Sequence, residues 1–222
     1  MKSWLILALL WCLSVPSRAD ALSDLQLIQA RPALPMLDLW LDMPSASLPK
    51  PEQFAVSLGS QTVDVEAIDG FSQTGEGVSY IFLVDVSKSL SPQQFSQIQS
   101  ALRQWLTGMG ERDRAALLSF GNEVKQRVAF NGDRNALRAV VDGLAPSDQQ
   151  TQFYRALLEA IRLGRLQESD LPARRAIIVL SDGIDDALNG VTLDDIHKQS
   201  QEYRVPIYGI GFAKPPLDDR KR

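Results

Sequence analysis

The sequence predicts an α/β fold, and three observations carry that expectation. Val78 to Val84 and Ala176 to Leu180 are near-continuous apolar runs, as expected of strands buried on both faces of a parallel sheet. Segments with apolar residues at helical spacing lie between and after them. Glycine and proline punctuate the junctions, so strands and helices alternate rather than occurring in separate blocks. The expected architecture is a Rossmann-like, mostly parallel sheet with helices on both faces, preceded by a short β-rich segment.

The chain opens with one cation at Lys2, an unbroken apolar stretch from Trp4 to Leu13, and small residues before Asp20. That is the pattern of a signal peptide over residues 1–19, with cleavage after Ala19. The apolar run is half the roughly 20 residues a membrane-crossing helix needs, so no membrane span is expected once the signal is removed. Cys12 is the only cysteine, and the bulky Leu9-Leu10-Trp11 before it makes a poor lipoprotein site. Residues 20–222 would carry no cysteine, so an oxidising compartment offers neither a staple nor a pairing problem. A periplasmic, secreted or cell-envelope location follows from this reading.

Charge narrows the partners. Of 23 basic and 27 acidic side chains, Lys2 and Arg18 leave with the signal and no acid does, so the mature chain is more acidic still. Nucleic acid, which calls for a clustered basic face, is not an expected partner.

Residues 20–77 read as short extended pieces between prolines and glycines. Leu25 to Gln29 and Val63 to Ile68 alternate, and Leu58-Gly59-Ser60-Gln61 reads as a hairpin turn between Phe54–Val56 and Val63–Val65. Ser72 to Gly77 has linker composition and places a boundary there. A domain over 78–212 follows, and a charged tail with two prolines occupies 213–222.

Within that domain, the strand Val78–Val84 ends at Asp85. Ser91-Pro92 with Gln94 forms a capping box before a helix that stops near Gly108 and Gly110. Ala115–Phe120 and Val124–Phe130 flank a tight Gly121-Asn122 turn, so they should be antiparallel neighbours. A short helix spans Asp133 to Val141, and Thr151 opens another with Tyr154, Leu157, Leu158 and Ile161 on one face. After Ala176–Leu180 come a helix over Leu193–Tyr203 and a last strand over Val205–Ile210.

Chemistry concentrates at strand ends. Asp85-Val86-Ser87-Lys88-Ser89 follows the first buried strand, at the sheet edge where open α/β folds bind ligands. One carboxylate and two hydroxyls are hard oxygen donors, suited to Mg²⁺, Mn²⁺ or Ca²⁺ rather than zinc or copper. Taken alone, the serines could simply build a turn and cap a helix. Ser181-Asp182-Gly183 could be an ordinary turn, and Thr151 an ordinary N-cap. All of them nevertheless fall on one rim. Asp185 and Asp186 read as a solvated acidic fringe, and Arg174 and Arg175 as markers of the opposite edge without a function.

Five separated segments, Tyr80–Ser89, Asp113–Gly121, Thr151–Leu157, Ile177–Gly183 and Val205–Gly211, resemble the von Willebrand factor type A family in order and spacing. The resemblance implies that family's metal-ion-dependent adhesion site at Asp85, Ser87, Ser89, Thr151 and Asp182, all five matching. It implies direct coordination by the serines, direct or water-mediated coordination by Thr151, and largely water-mediated contacts from the aspartates. The implied function is non-enzymatic: the cation bridges to an Asp or Glu of a partner protein. Lys88 departs from the family's usual Gly, and Gln149-Gln150 from a common Gly-Gly. The family continues past Gly211 with another strand and a closing helix, so a shortened C-terminal end is expected here.

Two alternatives differ in kind. One is a scaffold of the same fold that uses no metal. The other is a Mg²⁺-dependent hydrolase built on Asp85, but Ser87 stands where its second acid would commonly sit, and no Gly-x-x-x-x-Gly-Lys loop occurs. A serine hydrolase lacks a Gly-x-Ser-x-Gly elbow, and the single histidine, His197, falls in a helix.

Overall fold

The computed structural model describes residues 25–33, 35–43, 47–166, 168–186 and 190–211. The expected signal peptide, its cleavage site, Cys12 and the tail with its expected shortened end lie outside these residues. The chain divides into two compact units.

The unit containing residues 41–75 holds the strands β3 (Val56–Leu58) and β4 (Gln61–Val63), after a 3-10 turn at Pro51–Gln53. They pair antiparallel with Val56 opposite Val63, around a turn where Gly59 takes φ 62°. The left-handed region is open to glycine without steric cost, which places it at that turn. The alternation from Asp64 to Ile68 does not continue the strand. The pairing stops at Val56, because Phe54 and Ala55, read as part of that strand, instead join it to the 3-10 turn. Residues read as linker include one helical turn, α1 (Phe71–Thr74), closed by Gly75.

The other unit contains residues 27–40 and the chain from Glu76 onward. It includes most of β1 (Gln26–Ala33) and β2 (Met36–Asp42), which pair with each other, and a five-stranded sheet. That sheet comprises β5 (Val78–Asp85), β6 (Arg114–Phe120), β7 (Val124–Asn131), β8 (Arg174–Ser181) and β9 (Ile207–Gly211), in the order β7-β6-β5-β8-β9. Every pairing is parallel except β6 with β7, which are antiparallel across the Gly121-Asn122 turn.

Two helices cover each face. On one lie α2 (Pro92–Gly108), started by the Ser91/Gln94 capping box, and α3 (Arg134–Asp142), capped by Asp133. Phe95, Ile98, Leu102 and Leu106 of α2, together with Leu137 and Val141 of α3, pack on Phe82, Val84, Leu117 and Ile178. On the other lie α4 (Phe153–Gly164) and α5 (Leu193–Tyr203), whose Leu157, Ile161 and Ile196 pack on Ile81, Leu83, Phe120 and Ile177. Alternate residues of β5 thus face opposite layers, which is why the strand reads as a continuous apolar run. The sequence-based α/β expectation describes this architecture.

At the amino ends of the strands, Arg175 is buried, its guanidinium donating to Ser79 Oγ at 2.8 Å and to the Leu166 carbonyl at 2.9 Å. Gln29 of β1, also buried, accepts from the Arg175 amide and the Arg174 guanidinium and donates to the Ala173 carbonyl, each at 2.9 Å. One side chain from the first hairpin therefore completes the backbone hydrogen bonding at the start of β8. Gln29→Ala should lower unfolding free energy by about 1–3 kcal/mol, the cost of leaving buried polar groups unsatisfied. Urea denaturation at neutral pH reads this directly, and an unchanged midpoint would contradict the assigned role.

Candidate metal centre

Strand order reverses around β5, whose neighbours β6 and β8 lie on opposite sides, and such a point opens a crevice beyond the carboxyl ends of the strands. Asp85 closes β5 and Ser181 closes β8 at this crevice. Asp85 is fully buried; its Oδ1 accepts from the Ser87 amide at 2.8 Å, and its Oδ2 accepts from Ser181 Oγ at 2.7 Å. The first bond folds Val86-Ser87 back over the strand end. The second ties two central strands together through side chains 96 residues apart.

Ser87 and Ser89 project from that folded loop with their hydroxyl oxygens 2.8 Å apart; Ser87 is buried and Ser89 exposed. Lys88 between them is exposed, and its amide donates to the Asp148 carbonyl at 2.7 Å. The loop thus uses the backbone of this residue, which a lysine supplies as well as a glycine. Ser87 and Asp148 form a parallel bridge, and Ser147 and Asp148 both donate their amides to the Val86 carbonyl. These bonds hold the segment leading to Thr151 against the serine loop.

Asn122 clamps the same segment from the other side: its Oδ1 accepts from the amides of Gln149 and Gln150 at 3.1 and 2.9 Å. Its own amide donates to Asp148 Oδ2 at 2.9 Å, and Gln152 Nε2 donates to its carbonyl. Gly121 permits this approach, because a Cβ there would run into the Asp148 side chain.

Thr151 is buried but does not begin a helix as expected; α4 starts at Phe153 with Gln152 at the cap position. The cap function belongs to Asp185, whose Oδ1 accepts from the amides of Phe153 and Tyr154 at 2.7 and 3.4 Å. Asp186 accepts from the Thr151 amide at 2.5 Å and returns its own amide to the Thr151 carbonyl at 3.2 Å. Asp186 is exposed and Asp185 half-buried, yet these acids do more than fringe the rim: they fix Thr151 and the loop after β8 to each other. Half-buried Asp182 lies in that loop, with Oδ1 accepting from the Ile184 amide at 3.3 Å.

The five residues singled out from the sequence thus lie on three loops at one sheet edge, cross-braced by Ser181, Asp148, Asn122, Asp185 and Asp186. In the sequence, these bracing residues carry only the local signal of ordinary turns. Asp-Gly-Ile-Asp-Asp and Asp-Gln-Gln-Thr carried the useful hint: acids flanking a candidate ligand within a few residues.

Residues 81–221 match the von Willebrand factor type A domain. The chain belongs to this family. Among solved structures, the type A fold recurs in the conserved hypothetical protein BatB from Bacteroides thetaiotaomicron, 19% identical with TM-score 0.53, over 64% of this chain and 73% of that one. It recurs in an aerotolerance-related membrane protein from Bacteroides fragilis, also 19% identical with TM-score 0.53, over 66% and 75%. Proximal thread matrix protein 1 from the mussel byssus is 16% identical with TM-score 0.52, over 61% of this chain and 38% of that one. No curated protein matches the chain.

The donors at this type A edge suit a hard divalent cation: two serine hydroxyls in contact, a threonine, and two aspartates. Among the described residues, no three His, Cys, Asp or Glu cluster as a metal site. Burial pushes the Asp85 carboxyl above its ordinary value of 3.8; hydrogen bonds from Ser87 and Ser181 pull it down, and the nearby Asp182 charge pushes it up. The folded-state value lies above the unfolded one, so the linked stabilisation is complete below the unfolded value and lost as pH rises through the folded one. At neutral pH and without metal, Asp85 therefore costs stability. In EDTA at pH 7, Asp85→Asn should be more stable than wild type, by a margin that shrinks as pH falls towards the ordinary carboxylate range. A variant less stable at pH 7 would contradict this balance.

Proposed function

We propose that this type A domain is an exported binding module, not an enzyme. In this reading Asp85, Ser87, Ser89, Thr151 and Asp182 hold a divalent cation, Mg²⁺ or in its place Mn²⁺ or Ca²⁺, and a partner protein completes the coordination with an Asp or Glu. The observation that carries the reading is the paired Ser87 and Ser89 hydroxyls beside the buried Asp85 carboxylate at the strand-order reversal. A cation held largely by neutral hydroxyls keeps much of its charge uncompensated, and a carboxylate from outside is the ligand that relieves it. Asp85 and Asp182 orient the hydroxyls and the water shell. His197, the only histidine, lies exposed on α5.

Export rests on the signal-like residues 1–19, and a periplasmic or cell-envelope location follows from it. The similar chain from Bacteroides fragilis carries a membrane-protein description, which agrees with an envelope setting. Among the described residues, no helix is long and apolar enough to cross a membrane. A metal-free scaffold is the second reading, favoured by the way Ser87 and Ser89 satisfy each other's hydroxyls.

Calorimetric titration of the mature chain with Mg²⁺, Mn²⁺ and Ca²⁺ separates the two. The proposal expects one saturable site, lost in Ser87→Ala and Asp182→Ala while both variants remain folded. A well-folded wild type that binds none of the three ions would leave the scaffold reading.

A further inference from the structure

A second surface of the domain has the chemistry of a docking site. Beside the edge strand β7, a groove of about 430 Å³ is floored by Leu118, Val124, Leu163 and Leu166 and rimmed by Arg155, Arg162 and Arg165. Arg155, Glu159, Arg162 and Leu166 follow one another at spacings of four, three and four, which places them along one face of α4 and its end. The three arginines are exposed. The sole acid of the groove lining, Glu159, bonds Arg162 at 3.0 Å. Such a concentration of cations stands out on a chain with net charge −4. Solvated arginines on a helix's outer face are commonplace, and their stems often cover apolar surface. Here they surround an open groove in which Leu166 remains 42% exposed.

We propose that this groove binds an extended acidic segment of a partner protein, with acidic and apolar residues alternating. From Arg155 to Arg165 the groove runs roughly 15 Å at the helical rise of 1.5 Å per residue. About five residues of extended chain, at about 3.3 Å each, cover that length. Alternate side chains of such a segment point to opposite sides, so its carboxylates meet the arginine rim while its apolar residues enter the leucine and valine floor. Charge complementarity selects this occupant over a basic or neutral peptide. The groove shares no lining residue with the candidate metal centre.

The test is fluorescence anisotropy of the full chain with a fluorescein-labelled peptide alternating aspartate or glutamate with leucine, in EDTA to silence any bound cation. The expected result is saturable binding that weakens with added salt, and no binding of the counterpart with lysine at the acidic positions. Arg155→Glu/Arg162→Glu, checked for an unchanged circular dichroism spectrum, should bind about ten-fold more weakly or worse. Glu159→Lys, which adds charge instead of removing it, should bind more tightly. The proposal is overturned if the acidic peptide does not bind in EDTA, or if the lysine peptide binds equally well. It is overturned equally if Glu159→Lys weakens binding, or if a folded double reversal leaves binding unchanged.

Discussion

A carboxylate buried at the end of the central strand is the constraint around which this edge of the domain is arranged. An ionised group out of water must be satisfied by donors, and Asp85 takes one from the backbone of its own loop and one from the neighbouring strand. The first bond fixes the turn that presents Ser87 and Ser89. The second locks β5 to β8 where strand order reverses. The donors and the loop shape thus follow from one group that would destabilise the fold if left unsatisfied.

The remaining loops are held by the same means. Asp148, Asn122, Asp185 and Asp186 each accept backbone amides from a loop other than their own, so three separate chain segments behave as one rim. Backbone amides near the start of α4 need acceptors, and Asp185 supplies one from the far side of the crevice. This explains how Thr151, two residues ahead of α4, is buried and fixed without being the helix cap. A rim braced in this way has little freedom left to lose.

Much of the fold was legible because its signals are local. The apolar runs of β5 and β8, the Ser91-Pro92-Gln94 start of α2 and the Gly121-Asn122 turn each declare themselves within a few residues, and the structure places them accordingly. The candidate ligands were legible for the same reason, each sitting at a strand end or beside a helix start. What could not be read were roles created by contacts between distant residues. Gln29 finishes the start of β8 across 146 residues, and nothing around Gln29 announces it. Asp185 and Asp186 resemble surface acids until the amides of Thr151 and Phe153 are brought beside them. Residues 64–68 alternate like a strand, but a strand needs a partner and theirs ends at Val56.

Anomalous diffraction at the manganese edge, from crystals of the protein soaked in MnCl₂, would locate a cation held by these braced hydroxyls. A cation site there gives a single strong peak within coordination distance of Ser87 Oγ and Ser89 Oγ and close to Thr151. A map with no peak there, or with manganese on Asp185 and Asp186 instead, would contradict it.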